Sequence, residues 1–198
     1  MWDERYADKE YVYGTEPNAF LAEHVGLLKG PVLSLAEGEG RNAVFVAGRG
    51  LDVLGVDGSA VGLEKAQNLA RNRGVAIRTE QVDLATYEPP VQAFGAVVSI
   101  FAHLPSPLRK RLHGLVEQSL VPGGIFLLEG YSKNQIHRDT GGPGNLDMLL
   151  AREDIEREFP GCEVLLSQEI EREVVEGKAH NGMASVVQFI ARKKGTIS

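Results

Sequence analysis

The sequence has little of what a disulfide-stapled, metal-binding or secreted protein needs. There is one cysteine, Cys162, in 198 residues, so no disulfide can form within the chain. The five histidines and this cysteine never fall at a recognised zinc-ligand spacing, so we predict no metal site. The opening Met1 to Glu10 is charged where a signal peptide would need an apolar core, and we therefore expect a cytoplasmic protein.

Long apolar runs and an excess of positive charge are also missing. No apolar run approaches the roughly 20 residues that cross a bilayer, so we expect no membrane-spanning segment. Lysine and arginine total 21 against 27 acidic residues, a net charge of -6, whereas nucleic-acid-binding proteins usually carry a basic surface. The one compact basic cluster, residues 109–111, is interpreted as a solvated helix face. The composition favours neither nucleic acid nor membrane as a partner and leaves the oligomeric state open.

From residue 31 onward, the sequence alternates short apolar runs with segments of helical period. This alternation predicts a single α/β domain with a doubly wound, Rossmann-like sheet and helices on both faces. Strands are predicted at 31–36, 51–56, 75–79, 94–101, 125–129, 163–173 and 184–191. Helices are predicted at 41–49, from a Ser59 cap to Gly74, from a Ser106 cap to 120, and around 152–159. The last two strands flank a loop with Gly177 and Gly182, which indicates an antiparallel hairpin.

The connection between residues 130 and 150 is long for a compact domain. It contains Gly141, Gly142 and Pro143. Connections of this length are usually functional or mobile, so we interpret this one as a candidate lid.

Ligands of an open parallel sheet bind outside the carboxyl ends of its strands, near the point where strand order reverses. The loop after the first strand, residues 36–43, contains a Gly-x-Gly-x-x-Ala string that also fits a dinucleotide site. Carboxylates of Glu37 and Glu39 beside a pyrophosphate would cost about 4 kcal/mol per charge pair at roughly 4 Å, for an effective dielectric near 20. S-adenosylmethionine (SAM) has no phosphate and carries two cationic groups, so this acidic loop favours SAM. Gly38 and Gly40 would let the backbone approach the ligand closely.

The later strand ends supply the remaining predicted cofactor contacts. Asp57 is placed to accept hydrogen bonds from ribose hydroxyls, Asp83 from the adenine amino group, and Leu84 or Phe101 can pack on the ring. The predicted cofactor-binding residues are Ala36, Glu37, Gly38, Gly40, Asn42, Asp57, Gly58, Ser59, Asp83, Leu84 and Phe101.

Three residues are candidates for contact with the second substrate. His103 follows the central fourth strand, His180 lies in the predicted hairpin loop on the ligand side of the sheet, and Tyr131 follows the fifth strand. A histidine near neutral pKa is the natural group to remove a proton from a methyl acceptor. A purely structural role for His103 is the alternative. His113 and His137 are interpreted as surface residues.

The motifs at residues 32–40, Asp57, 82–84 and 120–124 occur in order, and with them the chain resembles the class I SAM-dependent methyltransferases over nearly its whole length. The resemblance implies SAM as cofactor and a seven-stranded, mostly parallel sheet with an antiparallel last strand. Ala36 stands where that family usually has its first glycine, and Ser34 where an aspartate is common.

The opening segments at residues 2–6 and 13–18 look like the N-terminal part of the tellurite-resistance type and its thiopurine-methylating relatives. This implies a segment, 1–30, that covers the cofactor or substrate and a Rossmann-like core, 31–198. The segment after the fourth strand, 99–105, lacks the Asn/Asp-Pro-Pro-aromatic motif of enzymes that methylate adenine or glutamine amino groups, which leaves a small-molecule acceptor. An NAD(P)-dependent oxidoreductase and a non-catalytic SAM-binding module stay open as alternatives.

Overall fold

The computed structural model describes residues 2–178 and 180–195. The described helices are α1 (Trp2–Tyr6), α2 (Ala19–His24), α3 (Arg41–Gly48), α4 (Ala60–Asn72), α5 (Ser106–Ser119) and α6 (Arg152–Glu158), with short 3-10 helices at Val25–Leu27, Lys133–His137 and Leu146–Met148. The described strands are β1 (Val32–Leu35), β2 (Val53–Asp57), β3 (Arg78–Gln81), β4 (Phe94–Ile100), β5 (Leu120–Tyr131), β6 (Cys162–Glu176) and β7 (His180–Lys193).

All seven strands form one sheet in the order β3-β2-β1-β4-β5-β7-β6. Strands β1 to β5 pair in parallel, while β7 pairs antiparallel with both β5 and β6. The predicted seven-stranded Rossmann-like sheet with an antiparallel last strand is confirmed. The chain leaves β1 in one direction to β2 and β3, then returns to place β4 on the other side of β1. Strand order therefore reverses between β1 and β4, where an open sheet leaves a crevice at its carboxyl edge.

Alternation of side chains along the central strands divides the core between the two faces of the sheet. In β5, Ile125 and Leu127 belong to the cluster under α2, α3 and α4, whereas Phe126 and Leu128 belong to the cluster under α5 and α6. This follows from the period of two in a strand, and the double burial explains why these strands are continuous apolar runs in the sequence.

The last two strands are longer than their sequence predicts. The hairpin continues to Glu176, and β7 begins at His180, so His180 and Gly182 lie in a strand and not in the predicted loop. Gly177, just after β6, has a φ of +69°, and a Cβ there would lie 2.3 Å from the Val12 carbonyl oxygen, so glycine fits this close approach of the N-terminal segment. The extension of β6 was missed because this edge strand carries alternating charges that resemble a loop.

Two helix starts test the predicted capping residues. Ser59 caps α4 as predicted, because its hydroxyl oxygen accepts a hydrogen bond from the Gly62 N–H at 3.0 Å. Ser106 is instead the first residue of α5, and its N–H donates to an Asp147 carboxylate oxygen at 2.9 Å. The cap of α5 thus comes from the connection after β5, which no local pattern reveals.

The interpretation of residues 109–111 as a solvated face is wrong for its first member. Arg109 is 3% exposed and donates two hydrogen bonds to Glu158 Oε1, from Nε at 3.1 Å and from Nη2 at 2.9 Å. His113, predicted at the surface, is also 3% exposed, and its Nδ1 lies 2.6 Å from Glu158 Oε2. Packing of α6 on α5 buries both side chains against one carboxylate. His137 is exposed, as predicted.

No helix within residues 2–178 and 180–195 combines the length and the apolar character that crossing a membrane would need. Over the same residues, no group of three or more histidine, cysteine, aspartate or glutamate side chains is arranged to hold a metal ion.

Candidate active site

A cavity of about 1030 Å³ opens at the carboxyl edge of the sheet, over the point where strand order reverses. Pockets for one small molecule usually span about 300–1,000 Å³, so this one has room for more than a single compact ligand. Of the predicted site residues, the cavity is lined by Ala36, Glu37, Gly38, Asn42, Asp57, Gly58, Asp83, Leu84, Phe101, His103 and His180. Gly40, Ser59 and Tyr131 are not among its lining residues.

The loop after β1 turns sharply under the cavity. Ala36 has a φ of +49° and Gly38 a φ of +61°, so the alanine occupies a left-handed conformation that favours glycine. The family that the sequence resembles usually has glycine at this position, and the left-handed φ of Ala36 gives a physical reason for that preference. Gly40, at a φ of +96°, is needed for another reason. A Cβ there would lie 2.5 Å from the Ala66 Cα, so this glycine allows α3 and α4 to pack rather than a ligand to approach.

The two glutamates of this loop line the cavity, and their carboxylates also bond to other groups of the protein. Glu37 accepts hydrogen bonds from the Ala43 N–H at 2.8 Å and from the Ser34 hydroxyl, and its burial raises its pKa to about 7. Glu39 forms an ion pair with Lys65 and accepts from the Val12 N–H at 2.9 Å. The sequence argument treated these carboxylates only as charges that would repel a pyrophosphate. In the structure they also cap a helix and hold the N-terminal segment.

Asp57 is the acidic side chain that the fold keeps at the cavity wall. One carboxylate oxygen accepts from the Gly38 N–H and the other from the Ser59 N–H, each at 2.8 Å. The residue is 7% exposed, and burial raises the pKa of its carboxyl group. Each carboxylate oxygen can accept a second hydrogen bond, so the group is fixed in position and can still receive a ligand hydroxyl. Asp83, at the next strand end, is exposed and lines the same cavity.

The N-terminal segment closes the cavity from above. Trp2, Tyr6 and Tyr13 line the cavity, and a Cβ on Gly38 would lie 2.7 Å from the Tyr6 hydroxyl oxygen. Asn42 fastens the end of the segment, since its side-chain oxygen accepts from the Asn18 N–H at 2.9 Å. The covering of cofactor or substrate by residues 1–30 stays a prediction, and the lining residues Trp2, Tyr6 and Tyr13 are the part of the segment that touches the cavity.

Lys65, on α4, holds the same segment from below. Its ammonium donates to the carbonyl oxygens of Tyr6 at 3.4 Å, Asp8 at 2.9 Å and Glu10 at 2.7 Å, in addition to its ion pair with Glu39. Sequence reasoning missed Lys65, because nothing separates it from an ordinary solvated helix lysine until the N-terminal segment is placed beside it.

The other half of the cavity is aromatic. The Phe101 ring centroid lies 4.7 Å from His180 and 4.6 Å from Tyr131, and Tyr13 lies 4.7 Å from His180. Phe101 has a φ of +51°, a strained backbone conformation that directs its ring into this cluster. Tyr131 is fully buried behind the cluster, where its hydroxyl donates to the Thr140 carbonyl oxygen at 3.3 Å.

The two candidate histidines have very different surroundings. His103 Nδ1 lies 2.9 Å from the Met148 carbonyl oxygen and Nε2 accepts from the Tyr131 N–H at 3.2 Å, so both ring nitrogens are committed to the backbone. Burial lowers the pKa of His103 to about 4, which keeps the ring neutral. His180 is 9% exposed, and its Nδ1 has no hydrogen-bond partner among the described residues. The His180 Nδ1 lies 4.0 Å from a Glu176 carboxylate oxygen.

Glu176 is a second residue that sequence reasoning missed. Its carboxylate accepts hydrogen bonds from Arg41 at 2.6 Å and from the Asn18 side chain at 2.8 Å. Asn18 and Glu176 are 158 positions apart in the chain, and Glu176 lies in a run of alternating charges, so no sequence signal marks it.

Comparison with known proteins finds similarity to methyltransferases, both in a domain model and in a curated relative. Residues 32–124 match the model of a methyltransferase domain. The chain is similar to a 2-heptyl-1-hydroxyquinolin-4(1H)-one methyltransferase of Mycobacteroides abscessus, at 26% identity over 121 residues. That match covers 60% of this chain and 53% of the relative, so the chain spans about half the length of the curated relative it matches.

Solved structures share the fold over the whole chain. One, reported for the conversion of a disulfide bond into a thioacetal group during echinomycin biosynthesis, has a TM-score of 0.78 at 19% identity and covers 100% of this chain and 92% of its own. Another is TehB from Haemophilus influenzae, with a TM-score of 0.72 at 17% identity, covering 98% of this chain and 66% of its own. At such identities the likeness shows the fold alone.

Proposed function

We propose that this chain binds SAM and transfers its methyl group to a small molecule, because residues 32–124 match a methyltransferase-domain model and its fold resembles that of solved SAM-dependent methyltransferases. The supporting observation is one continuous cavity that joins a polar half at Asp57 and Asp83 to an aromatic half at Phe101 and His180. Bound SAM would supply a methyl group on a sulfonium, whose neutral thioether is a good leaving group. The chain's own contribution is then alignment of the two ligands in a water-poor pocket.

The polar half fits a nucleoside better than a dinucleotide. A pyrophosphate binds the free N–H groups at the start of the helix after β1. Here the Ala43 N–H is taken by Glu37 and the Gly38 N–H by Asp57. We assign the ribose hydroxyls to Asp57, the adenine amino group to Asp83, and the adenine ring to the apolar wall at Leu84. Two N–H donors that the pyrophosphate of an NAD(P)-dependent oxidoreductase would use are therefore already occupied, which disfavours that alternative.

The aromatic half supports a flat organic acceptor. The relative from M. abscessus is named for a hydroxyquinolone, so hydroxylated aromatic heterocycles are the first acceptors to test. The resemblance to the tellurite-resistance type makes tellurium and selenium oxyanions the second class. A cytoplasmic location stays a prediction from composition.

The direct test is calorimetric titration with SAM and S-adenosylhomocysteine. We expect Asp57→Asn to weaken binding about 10- to 100-fold, because a hydrogen bond to a charged group contributes about 1.5–3 kcal/mol. The matched control is Asp52→Asn, which changes an exposed carboxylate paired with Arg78 at the opposite end of β2 and should leave affinity unchanged. Tight binding of NADH without binding of SAM would overturn the proposal. Binding of SAM with no methylation of any acceptor class would leave a non-catalytic module.

A further inference from the structure

The aromatic half of the cavity contains few polar atoms that a ligand could use. We define this acceptor half by the lining residues Tyr13, Phe101, His103, Leu104, Leu108, Met148 and His180. Both ring nitrogens of His103 bond to the backbone, and the Tyr13 hydroxyl accepts from Arg5 at 3.1 Å. Among the described residues of this half, His180 is the histidine with a ring nitrogen that has no hydrogen-bond partner.

His180 lies at the wall of the cavity, at the start of a strand. As the first residue of β7 it pairs in register with Glu176 on β6. Its Nδ1 is buried and lies 4.0 Å from a Glu176 carboxylate oxygen. The other ring nitrogen, Nε2, is therefore the one that the inference below assigns to the ligand. The rings of Tyr13 and Phe101, each 4.7 Å away, form the walls beside it.

The charged groups behind His180 place one carboxylate, that of Glu176, beside its ring. Burial would raise the pKa of Glu176, but the neighbouring His180 ring, Arg41 and Arg172 lower it to about 2, so this group is an anion at neutral pH. A second buried carboxylate, Glu129, pairs with Arg172. The charges of these two arginines and two carboxylates sum to zero. Within this set, Glu176 lies nearest to His180. Three further titratable rings face His180, those of Tyr13, Tyr131 and His103. The Tyr131 hydroxyl and the His103 ring nitrogens form hydrogen bonds to the backbone.

We infer that His180, backed by Glu176, accepts a proton from the methyl acceptor, and that the acceptor is a flat aromatic compound bearing a hydroxyl group. This inference rests on the proposed function. The acceptor oxygen forms a bond to the methyl carbon while the carbon–sulfur bond breaks and leaves its electron pair on sulfur. The hydroxyl proton passes to Nε2 of His180, and the imidazolium then faces the Glu176 carboxylate through Nδ1–H. Proton and charge are conserved without a further reactant.

The first test compares His180→Gln with His137→Gln, which changes an exposed histidine in the connection after β5. With 2-heptyl-1-hydroxyquinolin-4(1H)-one and simple phenols as acceptors, we expect His180→Gln to lower kcat about 100-fold or more at neutral pH. The loss should shrink as pH rises, because an acceptor that ionises in solution needs no base. SAM affinity should stay as in the unchanged protein, and His137→Gln should have no effect.

The second test does not depend on turnover. A nitrophenol, whose phenolate absorbs visible light, is titrated in the presence of S-adenosylhomocysteine. Transfer of its proton to His180 predicts that the apparent pKa of the bound phenol falls relative to solution, and that His180→Gln abolishes this fall. Glu176→Gln should still bind the phenol, and the fall in the apparent pKa of the bound phenol should shrink to half of its size or less.

The possible outcomes distinguish a failure of this inference from a failure of the proposed function on which it rests. Absence of SAM binding in the unchanged protein would refute the proposed function itself. Normal SAM binding with equal rates and equal pH profiles for His180→Gln and the unchanged protein would refute only the role of His180. Methylation of oxyanions or thiols, with no phenol or hydroxyquinolone methylated or bound, would refute the acceptor class.

Discussion

Replacing Lys65 with methionine should release the N-terminal segment from the cavity. The Lys65 side chain is 13% exposed and that of Glu39 is 2% exposed, so this ion pair is largely removed from water. Lys65→Met would leave the Glu39 carboxylate buried beside a thioether and leave three carbonyl oxygens without their shared donor. The length of methionine is close to that of lysine, so the variant changes charge more than volume.

The size of the effect follows from the cost of breaking a buried pair, which is about 3–5 kcal/mol. We take the lower end, because the main-chain N–H groups of Val12 and Tyr13 still donate to Glu39 in the variant. A loss of about 3 kcal/mol corresponds to roughly a 100-fold larger opening constant for the segment. The sheet itself should keep its stability, because Lys65 holds only the stretch before α2, whereas Phe20 and Leu21 of α2 stay packed in the core.

Amide hydrogen exchange measures this opening directly. Exchange at Val12 and Tyr13 should become about 100-fold faster in Lys65→Met, with protected amides of β4 unchanged. The matched control is Lys178→Met, which removes an exposed ion pair to Glu10 in the same segment and should have little effect because water screens such pairs. The added change Glu39→Gln should restore part of the protection. Unaltered exchange in Lys65→Met, or equal acceleration in both lysine variants, would refute the assignment.

Two predictions concern the loop after β1. Ala36→Gly should raise the free energy of unfolding by about 1 kcal/mol in urea denaturation, because it relieves the left-handed backbone of an alanine at a φ of +49°; a lower value would show that the site is unstrained. Glu37 has a folded-state pKa of about 7, above its ordinary 4.5, so its contribution to stability is complete below pH 4.5 and is lost as pH rises through 7. Glu37→Gln removes this pH dependence. Chemical denaturation should therefore show the difference in unfolding free energy between variant and unchanged protein moving in favour of the variant from roughly pH 5 to pH 8. A difference that stays constant over this range would contradict the raised pKa.

The sheet and its order of elements could be predicted because their signals are local. Apolar runs at 94–100 and 125–128 mark doubly buried strands, and glycines or a serine cap mark the helix ends beside them. The strand-end positions of Asp57 and Asp83 followed from the same pattern. Elements with exposed faces were harder, as the underestimated β6 and β7 show.

The direction in which each site side chain points could not be predicted in the same way. Glu37 and Glu39 line the cavity, but the sequence did not reveal that their carboxylates also accept hydrogen bonds from backbone N–H groups. The sequence offers both His103 and His180 as candidates. In the structure both ring nitrogens of His103 form hydrogen bonds to the backbone, whereas Nδ1 of His180 has no hydrogen-bond partner among the described residues.

The sequence alone determined that this protein has a doubly wound sheet with an acidic, glycine-containing edge, because hydrophobic period and turn chemistry act between neighbouring residues. Only the tertiary structure decided which groups are available for chemistry at that edge. The decisive partners, such as Lys65 with Glu10 and Glu176 with Asn18, lie 55 and 158 positions apart in the chain. A buried donor or acceptor takes whatever partner packing brings to it, and packing is a property of the assembled sheet rather than of any one segment.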